Sequence, residues 1–242
     1  MKTNTIQELF DRKSVRLFTD EPISQQQKEL ILEAACQAPT AGNQQLYTIL
    51  DITDQALKNA LAVTCDNQPF IAKAQMILVF CADCKKWYDL FSAYDCQPRD
   101  PGVGDLLLAV SDANIAAENA VTAAQSLGIG SCYIGDIMEN CEKHQQLLHL
   151  PKHVFPCAMV VFGWPTEQQK TRQKPQRCAM KHIVHENTYR CMDKQELTEM
   201  FQKNATGKTF PEWCRAFCNR KYNSDFSREM SRSVLEYIKQ FL

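Results

Sequence analysis

Residues 111–137 read SDANIAAENAVTAAQSLGIGSCYIGDI, and they are the most informative stretch of the chain. Alanine, the strongest helix former, occupies positions 113, 116, 117, 120, 123 and 124. This part predicts the end of a long helix over about 104–127. Gly128 is placed to end that helix, because glycine readily adopts the left-handed conformation found after a last turn. Tyr133 and Ile134 then predict a short strand.

Two continuous apolar runs lie on either side of this helix in the sequence. Met76–Cys81 and Ala158–Phe162 have no polar interruption, a pattern typical of strands that are buried on both faces. Leu46–Ile52 predicts a further strand. Other helices are predicted over Ile6–Arg12, from the capping-box pair Ser24 and Gln27, over Asp54–Val63 and over Glu139–His149. Strands separated by helices predict an α/β or α+β sandwich.

The sequence changes character after Tyr189. Asp193 and Glu196 form a second capping-box pattern, and apolar residues recur at helical spacing at positions 226, 230, 234, 238 and 241. Residues 191–242 are therefore predicted to form a helical C-terminal extension, too short for a large core of its own. The predicted organisation is a main domain over 1–190 followed by this extension.

The composition restricts the class of protein. Of the 242 residues, 45% are hydrophobic and 23% are charged, as in a folded globular chain. The 27 Lys+Arg nearly balance the 28 Asp+Glu, so no excess charge favours nucleic acid or acidic lipid as a partner. The longest apolar run, Met76–Ala82, is too short to span a bilayer, and no secretory signal is recognisable. We expect a cytoplasmic protein.

Twelve cysteines are scattered along the chain. They are expected to be reduced thiols, most of them packed as small apolar side chains. Cys81 and Cys84 form a CxxC pattern, but Cys214 and Cys218 are too far away in sequence to make a zinc site the favoured interpretation. The five histidines lack a metal-binding helical spacing and are expected at the surface. No metal site is predicted.

Four segments carry residues suited to ligand binding. Residues 12–16, Arg-Lys-Ser-Val-Arg, bring together three cations and a hydroxyl, a combination that can grip a phosphate. Ala38–Gln45 combines small residues with amides, and Leu127–Gly135 holds three of the eight glycines, which permit close backbone approach. The fourth is a cationic stretch after residues 162–165. Taken singly, each segment is better explained by an ordinary solvated turn, loop or helix cap.

Together, the order and spacing of these segments resemble the nitroreductase family of FMN-dependent enzymes over about residues 5–190. The family patterns are an Arg-x-Ser-x-Arg/Lys start, a Pro-Ser-Ser-x-Asn-x-Gln loop, a small-residue helix that runs into Gly-Leu-Gly-x-x-x-x-Gly, and a late Lys/Arg-Pro-x-Arg. This chain matches them with RKSVR, APTAGNQQ, residues 111–137 and KPQR. It departs from them with Thr40-Ala41 in place of the serine pair and Leu46-Tyr47 in place of a Pro-aromatic ending.

The resemblance implies a three-layer α/β/α sandwich of the α+β class, which forms an intimate homodimer with FMN at the subunit interface. It implies that Arg12 and Ser14, with Lys13 beside them, hold the FMN phosphate, and that Arg16 lies toward the pyrimidine side of the ring. The other implied flavin contacts are Pro39, Thr40, Ala41 and Asn43 from the partner subunit, the backbone of Ile134 and Gly135, and Lys174 and Arg177 at the phosphate. Asn67-Gln68 supplies a further candidate amide at the flavin edge.

The implied activity is hydride transfer from NAD(P)H to FMN, followed by reduction of a nitroaromatic or quinone-like acceptor at the same flavin face, a ping-pong mechanism. In such enzymes the cofactor does the chemistry and the protein orients it, which agrees with a sequence that has no catalytic triad or Rossmann motif. Alternatives are a flavin reductase, an ene-reductase, a reductive dehalogenase or a non-catalytic flavin-binding module. Acceptor selectivity would depend on aromatics such as Phe70, Trp87, Tyr88 and Phe91, although core packing is the simpler explanation of most of them.

Overall fold

The computed structural model describes residues 3–242. Its strands are β1 (Tyr47–Asp51), β2 (Met76–Asp83), β3 (Gly130–Ile134) and β4 (Val154–Gly163). Its α-helices are α1 (Asn4–Asp11), α2 (Gln25–Cys36), α3 (Gln55–Thr64), α4 (Pro69–Ala72), α5 (Lys85–Ala93), α6 (Val103–Ser126), α7 (Cys141–Leu148), α8 (Glu167–Thr171), α9 (Lys194–Phe201), α10 (Phe210–Lys221) and α11 (Asp225–Ile238). The predicted strands and helices are present, and α4, α5, α8 and α10 come in addition.

The four strands form one antiparallel sheet in the order β1-β2-β4-β3. β2 and β4 are central, and all of their residues are buried, as their unbroken apolar runs predict. Side chains alternate across the sheet, so Leu78 and Phe80 belong to one apolar core and Ile77 and Val79 to another. Because each face of the sheet carries its own core, both faces are covered by helices.

Two helical layers provide this cover. α2 and α6 pack against each other on the side of Leu78 and Phe80. α3 and α4 cover the opposite side, with Leu61 and Ile71 completely buried. The protein is therefore the three-layer α/β/α sandwich of the α+β class that the sequence resemblance implied.

α6 is the central helix of the first layer and contacts α2, β2 and β4. Six of its alanines are completely buried: Ala109, Ala113, Ala116, Ala117, Ala120 and Ala124. Side chains this short let the helix approach the sheet closely without leaving voids. Gly128 follows with a φ of 78°, the left-handed conformation predicted for the end of the helix. No helix within residues 3–242, α6 included, is long and apolar enough to cross a membrane.

The segment that follows α1 lies along the outer edge of β3. Ser14 forms a parallel bridge with Ser131, and Phe18 forms an antiparallel bridge with Pro165. The backbone N–H of Val15 donates to the carbonyl of Ser131 at 2.8 Å. The basic segment singled out in the sequence is therefore extended and bonded to the sheet.

Two glycines make this close approach possible. Gly130 and Gly163 lie opposite each other in the β3–β4 register. A Cβ at Gly130 would lie 2.7 Å from Cγ2 of Val15, and one at Gly163 would lie 2.6 Å from the ring of Phe18. Carbon atoms in favourable contact are about 3.5–4.0 Å apart, so a side chain at either position requires the extended segment to move.

We expect Gly130→Ala to lower the free energy of unfolding by about 1–3 kcal/mol, the usual cost of overpacking a fitted core. Urea unfolding followed by circular dichroism measures this change. Gly104→Ala in α6 is the matched control, because a Cβ there meets nothing within 4 Å and alanine favours a helix more than glycine does. Equal stability of the two variants would contradict the tight packing of Val15 on Gly130.

The chain divides into two compact units. The first comprises the described residues up to Gln173 together with Glu229–Leu242, and the second is Lys174–Arg228, which contains α9 and α10. Tyr237 is buried in the first unit, with its ring 5.0 Å from that of Phe155 in an edge-on arrangement. The end of the chain is thus part of the first unit's core. The assignment of 1–190 and 191–242 as separate domains stays a prediction.

Candidate functional site

The candidate site begins at Arg12, the residue that directly follows α1. Its guanidinium lies over the ring of Tyr133 on β3, 5.5 Å from the ring centre, a cation–π contact that orients the side chain. Nε of Arg12 is buried, and no acceptor in the described part of the chain reaches it. Leaving a buried charged donor without an acceptor is costly, so this position fits a side chain that binds an anionic ligand.

Ser14 and Arg16 face the same place as Arg12, around the thiol of Cys132. Burial raises the pKa of this thiol, and the nearby Arg16, Ser14 and Arg12 partly oppose the increase. Two cations and a hydroxyl therefore lie together beside β3. This is an arrangement that binds a phosphate or another anion.

A cavity of about 960 Å³ opens beside Arg16. Lys58, Phe70, Gln169 and Arg172 are among the residues that line it. Gln169 is 7% exposed, and its side-chain oxygen accepts from the backbone N–H of Arg16 at 3.3 Å, which fixes the backbone at the rim of the cavity. Cations next to an aromatic ring suit a ligand with an anionic part and a planar part, as FMN has.

Lys13 has a structural role in this part of the protein. Its ammonium donates to the carbonyl of Lys170 at 2.8 Å and also to that of Arg172. The Arg172 guanidinium donates in turn to the carbonyl of Ser14. These bonds tie the extended segment to the end of α8 and use two of the three ammonium hydrogens, so a contact between Lys13 and FMN stays a prediction.

The loop between α2 and β1 is held by Asp112 of α6. This carboxylate is 2% exposed and accepts from the backbone N–H of Ala41 at 2.9 Å and of Leu46 at 3.2 Å. Ala41 lies in the middle of the loop, and Leu46 is its last residue before β1. A single buried side chain therefore fixes both the middle of the loop and the point where it enters β1.

This loop carries the four residues assigned to the flavin of the partner subunit. Pro39 and Asn43 are exposed, and Thr40 and Ala41 are half-buried. The Thr40 hydroxyl accepts from the backbone N–H of Gln45 at 3.2 Å, so it helps to shape the loop itself. The tip of the loop is therefore accessible to a second copy of the chain, and its contacts with FMN stay predictions.

Ile134 ends β3, and Gly135 begins a 3₁₀ turn that runs to Met138. Ile134 is buried and Gly135 is exposed, and a Cβ at Gly135 would meet nothing within 4 Å. The backbone at this point is open to a ligand. Gln68 donates to the Asp136 carboxylate and to a backbone carbonyl, both at 2.9 Å, so only its side-chain oxygen is left to accept from a ligand.

A smaller pocket of about 480 Å³ lies next to the α2–β1 loop. Trp87, Tyr88 and Phe91 of α5 line it together with Gln44. The indole N–H of Trp87 donates to the carbonyl of Gln44 at 2.7 Å, and the rings of Trp87 and Phe91 are 5.4 Å apart. Three of the four aromatics singled out in the sequence thus share one pocket, whereas Phe70 lines the larger cavity.

Lys174 and Arg177 belong to the second compact unit, whereas the other residues assigned to FMN belong to the first. Their contact with the FMN phosphate stays a prediction of the sequence. Within residues 3–242, no group of three His, Cys, Asp or Glu side chains is placed to hold a metal ion. The candidate site is thus built from cations, amides, aromatics and backbone groups.

Three buried polar residues next to this site were missed in the sequence: Asp112, Glu139 and His144. The available signal for Asp112 was that a carboxylate next to the buried alanines of a helix needs hydrogen-bond donors. His144 is completely buried, and His153 and His182 are each 6% exposed, so the expectation that the histidines lie at the surface is wrong for these three. Burial lowers the pKa of His144, and its local sequence gives no sign of this environment.

Comparison with known proteins identifies the family. The model of the Nitroreductase family matches residues 9–164. The oxygen-insensitive NADPH nitroreductase of Salmonella typhimurium is 39% identical over 194 residues, which cover 80% of this chain and 78% of that protein. The FMN reductase (NAD(P)H) of Bacillus subtilis is 32% identical over 237 residues, which cover 97% of this chain and 91% of that protein.

Solved structures show the same fold. The NADPH:FMN oxidoreductase of Vibrio harveyi, solved in complex with NAD+, has a TM-score of 0.79 at 26% identity and covers 96% of this chain and 98% of its own. NfrA1 of B. megaterium has a TM-score of 0.83 at 28% identity, and the match covers 99% of both chains. Sequence and fold agree over most of the molecule, and the chain belongs to the nitroreductase family.

Proposed function

We propose that this chain reduces planar aromatic acceptors with electrons from NAD(P)H by way of bound FMN, and that donor and acceptor use one site in turn. The chain is an NAD(P)H-dependent FMN oxidoreductase, in agreement with its family and relatives. The Salmonella typhimurium relative is named a nitroreductase and the Bacillus subtilis one an FMN reductase. The pocket of Trp87, Tyr88 and Phe91 is the observation that supports an aromatic acceptor.

FMN, when bound, supplies a ring that accepts a hydride and passes electrons on. The chain's own residues hold and orient this ring. Arg12 and Ser14 bind the phosphate, and the open backbone at Gly135 contacts the ring. Arg16 places a positive charge beside it, which favours the uptake of negative charge.

The proposed active form is a homodimer. Leu107, Leu108 and Ile115 lie on one face of α6 with 63%, 50% and 41% of their surface exposed. Large exposed apolar side chains that share a face are typical of a protein–protein interface. A second copy of the chain is the proposed occupant, and its exposed Pro39–Asn43 loop would complete the flavin site.

The visible spectrum of the purified protein tests the proposal. Protein reconstituted with FMN should lose its yellow colour when NADPH or NADH is added anaerobically, and regain it when a nitroaromatic or quinone follows. Bleaching by the donor alone supports a ping-pong order. Protein that binds FMN without being bleached is a flavin-binding module, and protein that binds no FMN contradicts both functions.

We expect Phe91→Ala to raise the KM for a nitroaromatic acceptor about 3–10-fold, since an aromatic pair contributes about 0.5–1.5 kcal/mol. Donor and acceptor meet the same flavin, but the aromatic pocket is assigned to the acceptor. The rate at which saturating NADPH bleaches the flavin should therefore change less than the KM for the nitroaromatic. Steady-state and stopped-flow measurements give the two values. Tyr94→Ala is the control, because Tyr94 follows the same helix but is 76% exposed; equal effects of both variants would contradict the assignment of the pocket.

A further inference from the structure

The turn formed by residues 135–140, called here the Gly135–Asn140 turn, includes Gly135 and directly follows Ile134, the two predicted flavin contacts at this place. Gln68 donates to Oδ2 of Asp136 at 2.9 Å. Nδ1 of His144 lies 2.9 Å from the carbonyl oxygen of Ile137. Because a carbonyl oxygen can only accept, Nδ1 carries the hydrogen. The first half of the turn is thus fastened to the connection before α4 and to α7.

The second half of the turn is fastened to α3 and α11. The Asn140 side chain donates to the carbonyl of Thr64 at 3.0 Å. The backbone N–H of Asn140 donates to the Glu229 carboxylate at 3.2 Å, and that of Cys141 donates to the Ser233 hydroxyl at 3.0 Å. The position of the flavin-contacting backbone therefore depends on polar contacts made by this turn.

Glu139 is the buried carboxyl group of the turn. It is 5% exposed, and no donor among residues 3–242 reaches its Oε1. Its backbone N–H donates to the carbonyl of Asp136 at 3.0 Å, and its side-chain carboxyl lies within hydrogen-bonding reach of the Asp136 carboxyl, a contact that raises its pKa. Two carboxyl groups in hydrogen-bond contact are stable when one of them carries a proton.

The neighbouring charges favour the protonated form of Glu139. Burial, together with the nearby Asp136, Asp66 and Glu229 carboxylates, raises the pKa of Glu139 to about 7. These three carboxylates come from the turn itself, from the connection between α3 and α4, and from α11. Repulsion thus reaches Glu139 from three elements.

The other titratable groups at this place do not offset that repulsion. Arg232 of α11 is paired with Glu229 and with Glu142, both at 2.8 Å, so its charge is matched by two carboxylates. Burial lowers the pKa of His144 of α7, which favours its neutral form. Cys65, directly after α3, also faces Glu139, and burial raises the pKa of its thiol, which favours the neutral thiol. The proton on Glu139 is therefore the available way to relieve the contact with Asp136.

We propose that Glu139 is a positioning residue, whose protonated carboxyl donates to Asp136 and keeps the Gly135–Asn140 turn in the form that binds FMN. Asp136 then accepts from Gln68 and from Glu139 together. When Glu139 releases its proton to solvent, two negative carboxylates face each other, and the hold of Asp136 on the turn weakens. This inference rests on the proposed function, since its ligand is FMN.

The dissociation constant of FMN, measured by quenching of flavin fluorescence between pH 6 and pH 8, tests this role. Glu139→Gln keeps a donor toward Asp136 but cannot ionise. The ratio of the wild-type constant to that of Glu139→Gln should be near one at pH 6 and rise to about 10 at pH 8, one unit above the midpoint. A ratio is the right readout, because the FMN phosphate itself ionises near pH 6 in every variant.

Glu33→Gln is the matched control, because Glu33 is an exposed residue of α2 and the change removes the same charge. The ratio of the wild-type FMN dissociation constant to that of Glu33→Gln should stay constant between pH 6 and pH 8. A flat ratio for Glu139→Gln as well would overturn the positioning role. Wild-type protein that binds no FMN at any pH would instead overturn the proposed function.

Thermal unfolding without FMN shows independently whether the folded protein holds the proton of Glu139. Because the pKa of Glu139 is raised in the folded protein, the folded state holds the proton more tightly than the unfolded state does. The wild-type protein should therefore lose stability relative to Glu139→Gln as pH rises from about 5 to about 7. The expected loss is several degrees in the midpoint temperature of unfolding. Parallel midpoints of the two proteins over this range would overturn the proton-sharing contact itself.

Discussion

Replacing Asp112 by alanine should lower the free energy of unfolding by about 3–5 kcal/mol, because hydrogen bonds to a charged group contribute about 1.5–3 kcal/mol each. Two backbone donors, the half-buried N–H of Ala41 and the buried N–H of Leu46, lose their acceptor in this variant. The α2–β1 loop should then lose its fixed course, and FMN should bind more weakly to the proposed dimer. Urea unfolding and FMN titration measure the two effects.

Two further variants define what the Asp112 result means. Asp112→Asn keeps one acceptor oxygen, so its stability should lie between those of the wild type and Asp112→Ala. Ser111→Ala changes the exposed neighbour on the same helix, and its stability should stay within about 0.5 kcal/mol of wild type. If Asp112→Ala were as stable as Ser111→Ala, the two backbone bonds would not be what holds the loop.

Replacing Arg12 by methionine should weaken FMN binding about 100-fold, which corresponds to about 2.7 kcal/mol. Losing one partner of a desolvated charge pair costs about 2–5 kcal/mol, and Nε of Arg12 is buried with no acceptor among residues 3–242. Riboflavin lacks the phosphate, so its affinity should be almost the same for Arg12→Met and wild type. Fluorescence titration with the two flavins makes the comparison.

The riboflavin comparison separates phosphate binding from a general loss of structure. Arg16→Met should weaken both flavins to a similar extent, because Arg16 is assigned to the ring. Arg228→Met, which removes a side chain that is 71% exposed, should change neither. An equal loss of riboflavin and FMN affinity in Arg12→Met would show that Arg12 supports the fold and does not bind the phosphate.

The parts of the fold that follow local rules could be predicted from the sequence. The apolar runs of β2 and β4 and the alanines of α6 each give their signal within a few residues. Ser24 and Gln27 form the capping box that their spacing predicts, with the Ser24 hydroxyl accepting from the Gln27 N–H at 3.2 Å and the Gln27 side chain accepting from the Ser24 N–H at 3.0 Å. Such patterns require no knowledge of distant contacts.

The rest of the site depends on contacts between distant residues. Asp112 meets Ala41 and Leu46 across 71 and 66 positions of sequence, and nothing near Asp112 indicates which N–H groups it will find. Lys13 has the positive charge expected of a phosphate ligand, yet its ammonium donates to the backbone carbonyls of Lys170 and Arg172. The resemblance to a family supplied the cluster of Arg12, Ser14 and Arg16, which their spacing alone could not distinguish from a solvated turn.

β3 is an outer strand of the sheet, and an outer strand whose backbone is uncovered can pair with other chains and begin aggregation. The extended segment after α1 covers part of this edge through the Ser14–Ser131 bridge. Proteolytic removal of the first 19 residues would therefore do more than delete Arg12, Ser14 and Arg16. It would also uncover this strand edge, so the segment that carries the residues proposed to hold FMN shields an edge that could otherwise pair with other chains.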